Sequence, residues 1–86
     1  MPEICRFYGI VIRMYYDEHN PPHFHAEYGE DEVWININTL AVMRGSLSAR
    51  TLGLVIEWAS LHQDELRRDW ELARKQQKLK KIEPLK

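Results

Sequence analysis

Apolar residues dominate the first stretch of the chain, from Ile4 to Tyr16. β-Branched and aromatic side chains are concentrated there, which is typical of a β-strand. Because successive side chains of a strand point to opposite faces, this stretch presents apolar residues on both sides. The pattern predicts one long strand over residues 4–16, either central in a sheet or facing another subunit, with Gly9 marking a bulge or bend.

Two later stretches alternate between apolar and polar residues and predict a hairpin of strands over residues 23–28 and 33–38. The polar segment 29–32 contains a glycine and is typical of a four-residue loop. If the apolar residues of both strands share one buried face, Tyr28 lies opposite Val33. The predicted buried face holds Phe24, Ala26, Tyr28, Val33, Ile35 and Ile37, and the opposite face holds His23, His25, Glu27, Trp34, Asn36 and Asn38.

The second half of the chain carries a helical pattern. After a turn, residues 41–44 form a short fourth strand that ends at Gly45. Ser48 is a good N-cap, and apolar residues recur at steps of three and four from residue 48 to about 76. A kink near residues 61–63 would divide this helix in two, since Asp64 and Glu65 suit a first turn. A basic tail, residues 77–86, follows; it either docks through its apolar residues or is disordered.

These elements predict one domain, residues 1–86, of the α+β class. We expect a three- to four-stranded antiparallel sheet packed by one long or kinked C-terminal helix. The helix would cover the face formed by Phe24, Ala26, Tyr28, Val33, Ile35 and Ile37.

Composition indicates the class of protein and its expected location in the cell. The chain of 86 residues is 44% hydrophobic and 29% charged, which is typical of a globular domain. Its single cysteine, Cys5, cannot form a disulfide framework and is expected to be a core or edge residue rather than a nucleophile. No apolar run approaches the roughly 18 residues of a membrane span, and no signal peptide is recognisable. We therefore expect a cytoplasmic protein without membrane contact.

Charge is distributed unevenly, although the net charge is only −1. Residues 74–86 hold six basic residues and one acid, a net charge of +5. The rest of the chain holds six basic and twelve acidic residues, a net charge of −6. A basic tail of this kind can contact nucleic acid or an acidic partner, but it also suits the solvated end of a helix.

Three of the four histidines lie between Asp17 and Glu27. His23 and His25 share one face of a strand, and Asp17 and His19 are close enough in sequence to complete a mixed nitrogen and oxygen metal site. The alternative is a polar surface on which the histidines hydrogen-bond to Asn36, Asn38 and the loop backbone. Histidine pairs at this spacing are common and no cysteine contributes, so we favour the polar surface and expect no resident metal or other cofactor.

The same face also offers groups for acid–base chemistry. His23, His25 and Glu27 are candidate catalytic residues for metal-independent RNA cleavage, with Trp34 stacking on a base. Little positive charge is available there to hold a phosphate backbone. We therefore expect a binding patch of His19, His23, His25, Trp34, Asn36 and Asn38 rather than an enzyme.

Several segments resemble a small prokaryotic family known only as domain of unknown function 4160. The resemblance begins with Phe-Tyr-Gly-Ile-Val-Ile-Arg-Met-Tyr-Tyr at residues 7–16, is most specific at His-Asn-Pro-Pro-His-Phe-His, residues 19–25, and continues to the closing segment 79–85. The chain departs from the family pattern at Thr39-Leu40, where a Thr-Gly turn is usual, so a looser turn is expected there. The resemblance implies one half of a two-gene module of the toxin–antitoxin type, and it implies no catalytic residue.

Together these observations predict a small cytoplasmic interaction protein of the toxin–antitoxin type that acts through a partner. The partner would be a second small protein from a neighbouring gene, or another copy of the chain, and the basic tail could add contacts to nucleic acid. An RNA-binding protein or ribonuclease, and a metal-binding module, are the alternatives.

Overall fold

The structure is a computed structural model that describes residues 2–86. Its strands form a single antiparallel sheet in the order β1-β2-β3-β4-β5, so each strand pairs with its neighbours in sequence. Two helices follow, which confirms the predicted α+β class. The elements are β1 (Glu3–Phe7), β2 (Ile10–Arg13), β3 (His23–Tyr28), β4 (Asp31–Asn36), β5 (Val42–Gly45), α1 (Ala49–Leu61) and α2 (Gln63–Arg74).

The predicted long strand over residues 4–16 is wrong, because the chain reverses at Tyr8 and Gly9 to form the hairpin β1–β2. Both turn residues have positive φ, 50° and 79°, as a tight turn matching the twist of its strands requires. A tyrosine at positive φ is uncommon, so the sequence did not mark this turn. The sheet therefore has five strands instead of three or four.

The predicted β3–β4 hairpin forms, but its register is wrong by two residues. Ala26 pairs with Val33 and Tyr28 with Asp31, because the connection has two residues, not four. Gly29 takes a positive φ of 61° in this short turn. A shift of two residues leaves every side chain on its predicted face. The strand bounds move accordingly, from the predicted 33–38 to Asp31–Asn36.

The helical region divides at His62, where the predicted kink lies, and gives α1 and α2 instead of one helix over 48–76. The Ser48 side chain accepts a hydrogen bond from the Thr51 backbone N–H, as expected of an N-cap. Asp64 and Glu65 occupy the first turn of α2. Gln63 donates to the Ile37 carbonyl, which places the start of α2 beside the end of β4.

The core lies between α1 and one face of the sheet. Trp58 of α1 is completely buried, and its ring packs against Phe7 and Phe24 at centroid distances of 5.6 and 5.8 Å. The predicted face is confirmed at Phe24, Ala26, Val33, Ile35 and Ile37, all fully buried. Tyr28 was expected to be buried on this face but is 47% exposed; it lies at the last position of β3 and lines an open cavity beside Arg50 and Leu54 of α1.

The basic tail docks along β1. Ile82 is buried, and its backbone N–H donates to the Ile4 carbonyl at 2.9 Å. The Glu83 carbonyl accepts a hydrogen bond from the Trp58 indole at 2.8 Å, and the Lys81 ammonium donates to the Glu3 carbonyl. The tail therefore covers the outer edge of the sheet on the β1 side. Neither helix in the described part of the chain is long and apolar enough to cross a membrane.

Candidate functional site

His23 and His25 lie on β3, on the face of the sheet opposite to α1. They alternate with Phe24 and Ala26, whose side chains fill the core. Although this face was expected to be a polar surface, each histidine is only 3% exposed. Buried polar side chains need partners, so the groups around these imidazoles define what the site can do.

The loop between β2 and β3 supplies the first partner. Its Asn20–Pro21 peptide bond is cis, and the loop returns over the sheet with Glu18 pointing at both histidines. The Glu18 Oε1 atom lies 2.5 Å from His25 Nε2 and 3.5 Å from His23 Nε2. Glu18, His23 and His25 offer three ligand atoms that all lie within 4.8 Å of one another. We call these three residues the His–Glu cluster.

The Nδ1 atom of each imidazole has a separate partner. His23 Nδ1 lies 2.8 Å from the Pro21 carbonyl oxygen. His25 Nδ1 lies 3.1 Å from Oε2 of Glu32, a residue of β4. Both imidazoles are thus fixed from behind, and their Nε2 atoms are directed toward Glu18.

Aromatic rings enclose the cluster. Trp34 stacks on His23, with ring planes inclined by 11° and ring centroids 5.4 Å apart. The Trp34 ring also packs against His25, with ring centroids 4.6 Å apart. Tyr15 meets His25 edge to face, and Trp70 of α2 packs against His23. This apolar wall excludes water from the imidazoles and strengthens the electrostatic interactions among them.

A shallow groove leads to the cluster from outside. Its lining residues come from the N-terminal end, the β2–β3 loop and β4, and they include Glu18 itself. Glu18 is therefore the member of the cluster that solvent reaches. The groove is lined by Pro2, Tyr15, Tyr16, Asp17, Glu18 and Trp34.

The structure does not bring all the predicted metal ligands together. His23 and His25 meet, but Asp17 and His19 are exposed in the loop, and the carboxylate that completes the cluster is Glu18. Glu18 was missed because the loop conformation, not the strand pattern, decides which acid turns inward. Glu32 was also missed, although extending the alternation of β4 back by one residue pair from Trp34 places it on the histidine face.

The other polar residues predicted on this face have structural roles. Glu27, a candidate catalytic residue, pairs with Arg13 at 3.2 Å. The Asn36 side chain accepts hydrogen bonds from the backbone N–H groups of Asn38 and Thr39, which orders the turn after β4. The Asn38 side chain accepts from Arg67 of α2 at 2.8 Å. These three side chains bond to other groups, although Asn36 is the strand partner of His23. Of the predicted patch, His23 and His25 belong to the His–Glu cluster and Trp34 packs on both.

Cys5 lies away from this site, in β1. Burial raises the pKa of its thiol to about 11. Little thiolate is present at neutral pH, which agrees with the expectation of a core cysteine.

The fold and the site define an α+β domain whose antiparallel sheet carries a core on one face and a buried imidazole–carboxylate cluster on the other. The chain belongs to the family described as a domain of unknown function, DUF4160, whose family model matches residues 9–71. The match includes all three residues of the His–Glu cluster and confirms the resemblance seen in the sequence. No curated protein and no solved structure matches the chain.

Proposed function

We propose that the protein is a small interaction protein that binds a partner chain along the free edge of its sheet. In this proposal it is one component of a two-protein module of the toxin–antitoxin type. The observation that supports it is the difference between the two edges of the sheet.

The edge at β5 is uncovered. All four residues of β5 are exposed, including the apolar Val42 and Met43, whose exposed fractions are 46% and 38%. An edge strand presents unpaired backbone N–H and C=O groups, and sheets usually protect them. The tail protects β1 through Ile82, but no described segment lies along β5 in the same way. This edge therefore suits the addition of a strand from another chain.

The side chains of β5 favour a particular partner. Val42 and Met43 offer apolar contacts, and the Arg44 guanidinium lies 5.2 Å from the centre of the Trp34 ring, which holds it near the edge. A fitting partner is an extended segment with apolar residues and at least one acid. Backbone hydrogen bonds would supply affinity, and these side chains would supply specificity.

The ribonuclease alternative has less support in this geometry. His23 and His25 are almost completely buried, and Glu18 and Glu32 lie directly against them. Carboxylates at this distance repel a phosphate backbone, whose binding depends on basic side chains. Contact between nucleic acid and the basic tail is a separate prediction.

Co-expression with the product of the neighbouring gene tests the proposal. Wild-type protein is expected to co-purify with that product as a stoichiometric complex. Met43→Lys and Val42→Pro each place a residue on β5 that opposes strand addition, and both are expected to weaken the complex by at least about tenfold. Leu61→Lys is the matched control, because Leu61 is an apolar residue of α1 with 67% exposure and lies outside β5.

Two results would contradict the proposal. Equal binding by the β5 variants and Leu61→Lys would place the interface elsewhere. A homodimer of the isolated chain that the β5 variants dissociate, measured by light scattering, would show that the edge serves self-association instead.

A further inference from the structure

We propose that Glu18, His23 and His25 together bind one divalent transition-metal ion, with Glu32 orienting His25 for this task. The inference is independent of partner binding at β5. It is carried by the protonation pattern that the hydrogen bonds impose on His23, by the convergence of three ligand atoms and by the charge of the groups involved.

His23 is held in the tautomer that a metal ligand needs. Its Nδ1 faces the Pro21 carbonyl, which can only accept a hydrogen bond, so Nδ1 carries the proton. In the neutral ring, Nε2 then has a free lone pair. This atom is buried and makes no hydrogen bond among the described residues, and Glu18 Oε1, 3.5 Å away, can only accept one. A buried, unpartnered nitrogen is costly, and a metal ion bound to its lone pair would remove that cost.

His25 has the support that metal-binding histidines usually have. Its Nδ1 lies 3.1 Å from the Glu32 carboxylate, while its Nε2 points to Glu18. A carboxylate behind the ring fixes its orientation and increases the basicity of the coordinating nitrogen. Glu32 is 42% exposed at its side chain, so it can hold the ring from the outside without being a ligand.

The three ligand atoms lie within 4.8 Å of one another, and the two distances from Glu18 are near those expected around a bound ion. Ligands at about 2.0–2.1 Å from a tetrahedral metal are separated from each other by roughly 3.4 Å. Glu18 Oε1 is already 3.5 Å from His23 Nε2, and its 2.5 Å contact with His25 Nε2 needs to lengthen by only about 1 Å. Because Glu18 lies on a loop, a small rotation of its side chain can provide this change.

The donor set and the charge select the class of ion. Two imidazole nitrogens and one carboxylate oxygen suit Zn²⁺ and similar divalent ions, whereas Ca²⁺ and Mg²⁺ prefer oxygen ligands. With neutral imidazoles, the carboxylates of Glu18 and Glu32 balance two positive charges. Three protein ligands leave a coordination position for water or a small ligand, and the groove beside Glu18 and Trp34 reaches this side of the cluster.

A metal-free explanation is a histidine–carboxylate network. In that network His25 satisfies both carboxylates only when both of its nitrogens carry protons. It accounts for His25 but leaves His23 Nε2 without a hydrogen bond. A bound ion satisfies both rings at once, which is the reason for preferring it.

Titration of the full-length protein, produced without a histidine tag and treated with a chelator, tests the proposal. Calorimetric titration with Zn²⁺ is expected to show one ion per chain. Co²⁺ is expected to give the visible absorption bands of a four- or five-coordinate site with nitrogen and oxygen ligands. Saturating Zn²⁺ is expected to raise the melting temperature, because it binds the folded state preferentially.

Variants locate the ion. Glu18→Gln and His25→Ala are each expected to weaken Zn²⁺ binding by at least about 100-fold, and Glu32→Gln by about 10–100-fold. His19→Ala is the matched control, since His19 belongs to the same loop but is exposed and outside the cluster. The affinity of this variant for Zn²⁺ is expected to stay within about threefold of wild type. Glu18→Gln keeps the size of a partly exposed side chain, so it tests the site even where His25→Ala does not fold.

The outcomes are distinguishable. Absence of stoichiometric Zn²⁺ or Co²⁺ binding by folded wild-type protein would overturn the proposal in favour of the histidine–carboxylate network. Stoichiometric binding that survives in Glu18→Gln, or that His19→Ala removes, would overturn it by placing the ion elsewhere. Neither result affects the proposal for β5, which the co-purification experiment tests separately.

Discussion

At the scale of single residues, Gly45 at the end of β5 has the strictest local requirement. Its φ is +78°, and a Cβ atom built there would lie 2.1 Å from the Glu32 carbonyl oxygen. That oxygen belongs to the backbone of an adjoining strand and cannot move without disturbing the β4–β5 pairing. Only glycine fits both the conformation and the close approach.

Gly45→Ala is therefore expected to lower the free energy of unfolding by about 2–4 kcal/mol, measured by urea denaturation. Gly53→Ala is the control: this glycine lies in α1, and a Cβ there meets nothing within 4 Å. It is expected to stabilise the protein by roughly 0.5–1 kcal/mol. Equal stability of the two variants would show that the approach of Gly45 to Glu32 imposes no constraint.

The site shows what could be predicted from single residues. The alternation of residues 23–28 placed His23 and His25 on one face, because the strand period is local information. Their burial and the choice of Glu18 over Asp17 depend on how the loop folds back and on Trp34 and Trp70, which belong to other elements. Contacts of this kind between distant parts of the chain are not encoded in residue spacing.

At the scale of elements, α2 is joined to the tail through a buried acid. Asp69 is completely buried, and its Oδ1 accepts a hydrogen bond from the Lys80 backbone N–H at 3.1 Å. The Arg68 guanidinium lies 3.4 Å away, while Oδ2 has no hydrogen-bond partner among the described residues. Burial raises the pKa of Asp69 above its ordinary value of 3.8, so its carboxyl is protonated more readily in the folded state than in the unfolded chain.

This arrangement predicts a pH-dependent difference between wild type and Asp69→Asn. Between the ordinary pKa and the raised native pKa, the folded protein binds more protons than the unfolded chain, so the contribution of Asp69 to stability increases as pH falls. Denaturation curves at several pH values from 7 to 4 are expected to show wild type gaining stability relative to Asp69→Asn. Asp64→Asn, on the exposed side of α2, controls for the loss of one negative charge. The opposite slope would contradict a raised pKa.

Element boundaries were predictable only in part. The helix break at His62 was visible because Asp64 and Glu65 mark a new first turn. The β1–β2 turn was hidden, since Tyr8 is a residue type that favours strands and Gly9 alone does not distinguish a turn from a bulge. The β3–β4 register was missed because the loop length was inferred from polarity, and polar Asp31 and Glu32 belong to β4.

At the scale of the whole molecule, one edge of the sheet is covered and the other is exposed. The positively charged tail lies along β1 and connects it to α1 through Trp58 and Glu83, whereas β5 remains uncovered. The basic tail is therefore in direct contact with the acidic rest of the chain. Composition revealed the charge difference, but only the three-dimensional structure shows which edge the tail occupies.

The order of the sheet has a consequence for folding kinetics. Every strand pairs with its neighbours in sequence, so the sheet can form through a series of short loop closures. Docking of Ile82 on Ile4 instead joins opposite ends of the chain, and we expect it to follow the transition state. Ile82→Ala should then cost about 2–5 kcal/mol, expressed mainly as faster unfolding in stopped-flow experiments, with a nearly unchanged folding rate.

Val33→Ala, in the centre of the sheet, is the comparison, because Val33 is fully buried in β4 and pairs with both β3 and β5. It is expected to slow folding measurably. If Ile82→Ala slows folding as much as Val33→Ala does, the tail takes part in nucleation. If Ile82→Ala changes mainly the unfolding rate and Val33→Ala the folding rate, the tail docks late. The tail then determines the lifetime of the native state, whereas the hairpins determine how fast it forms.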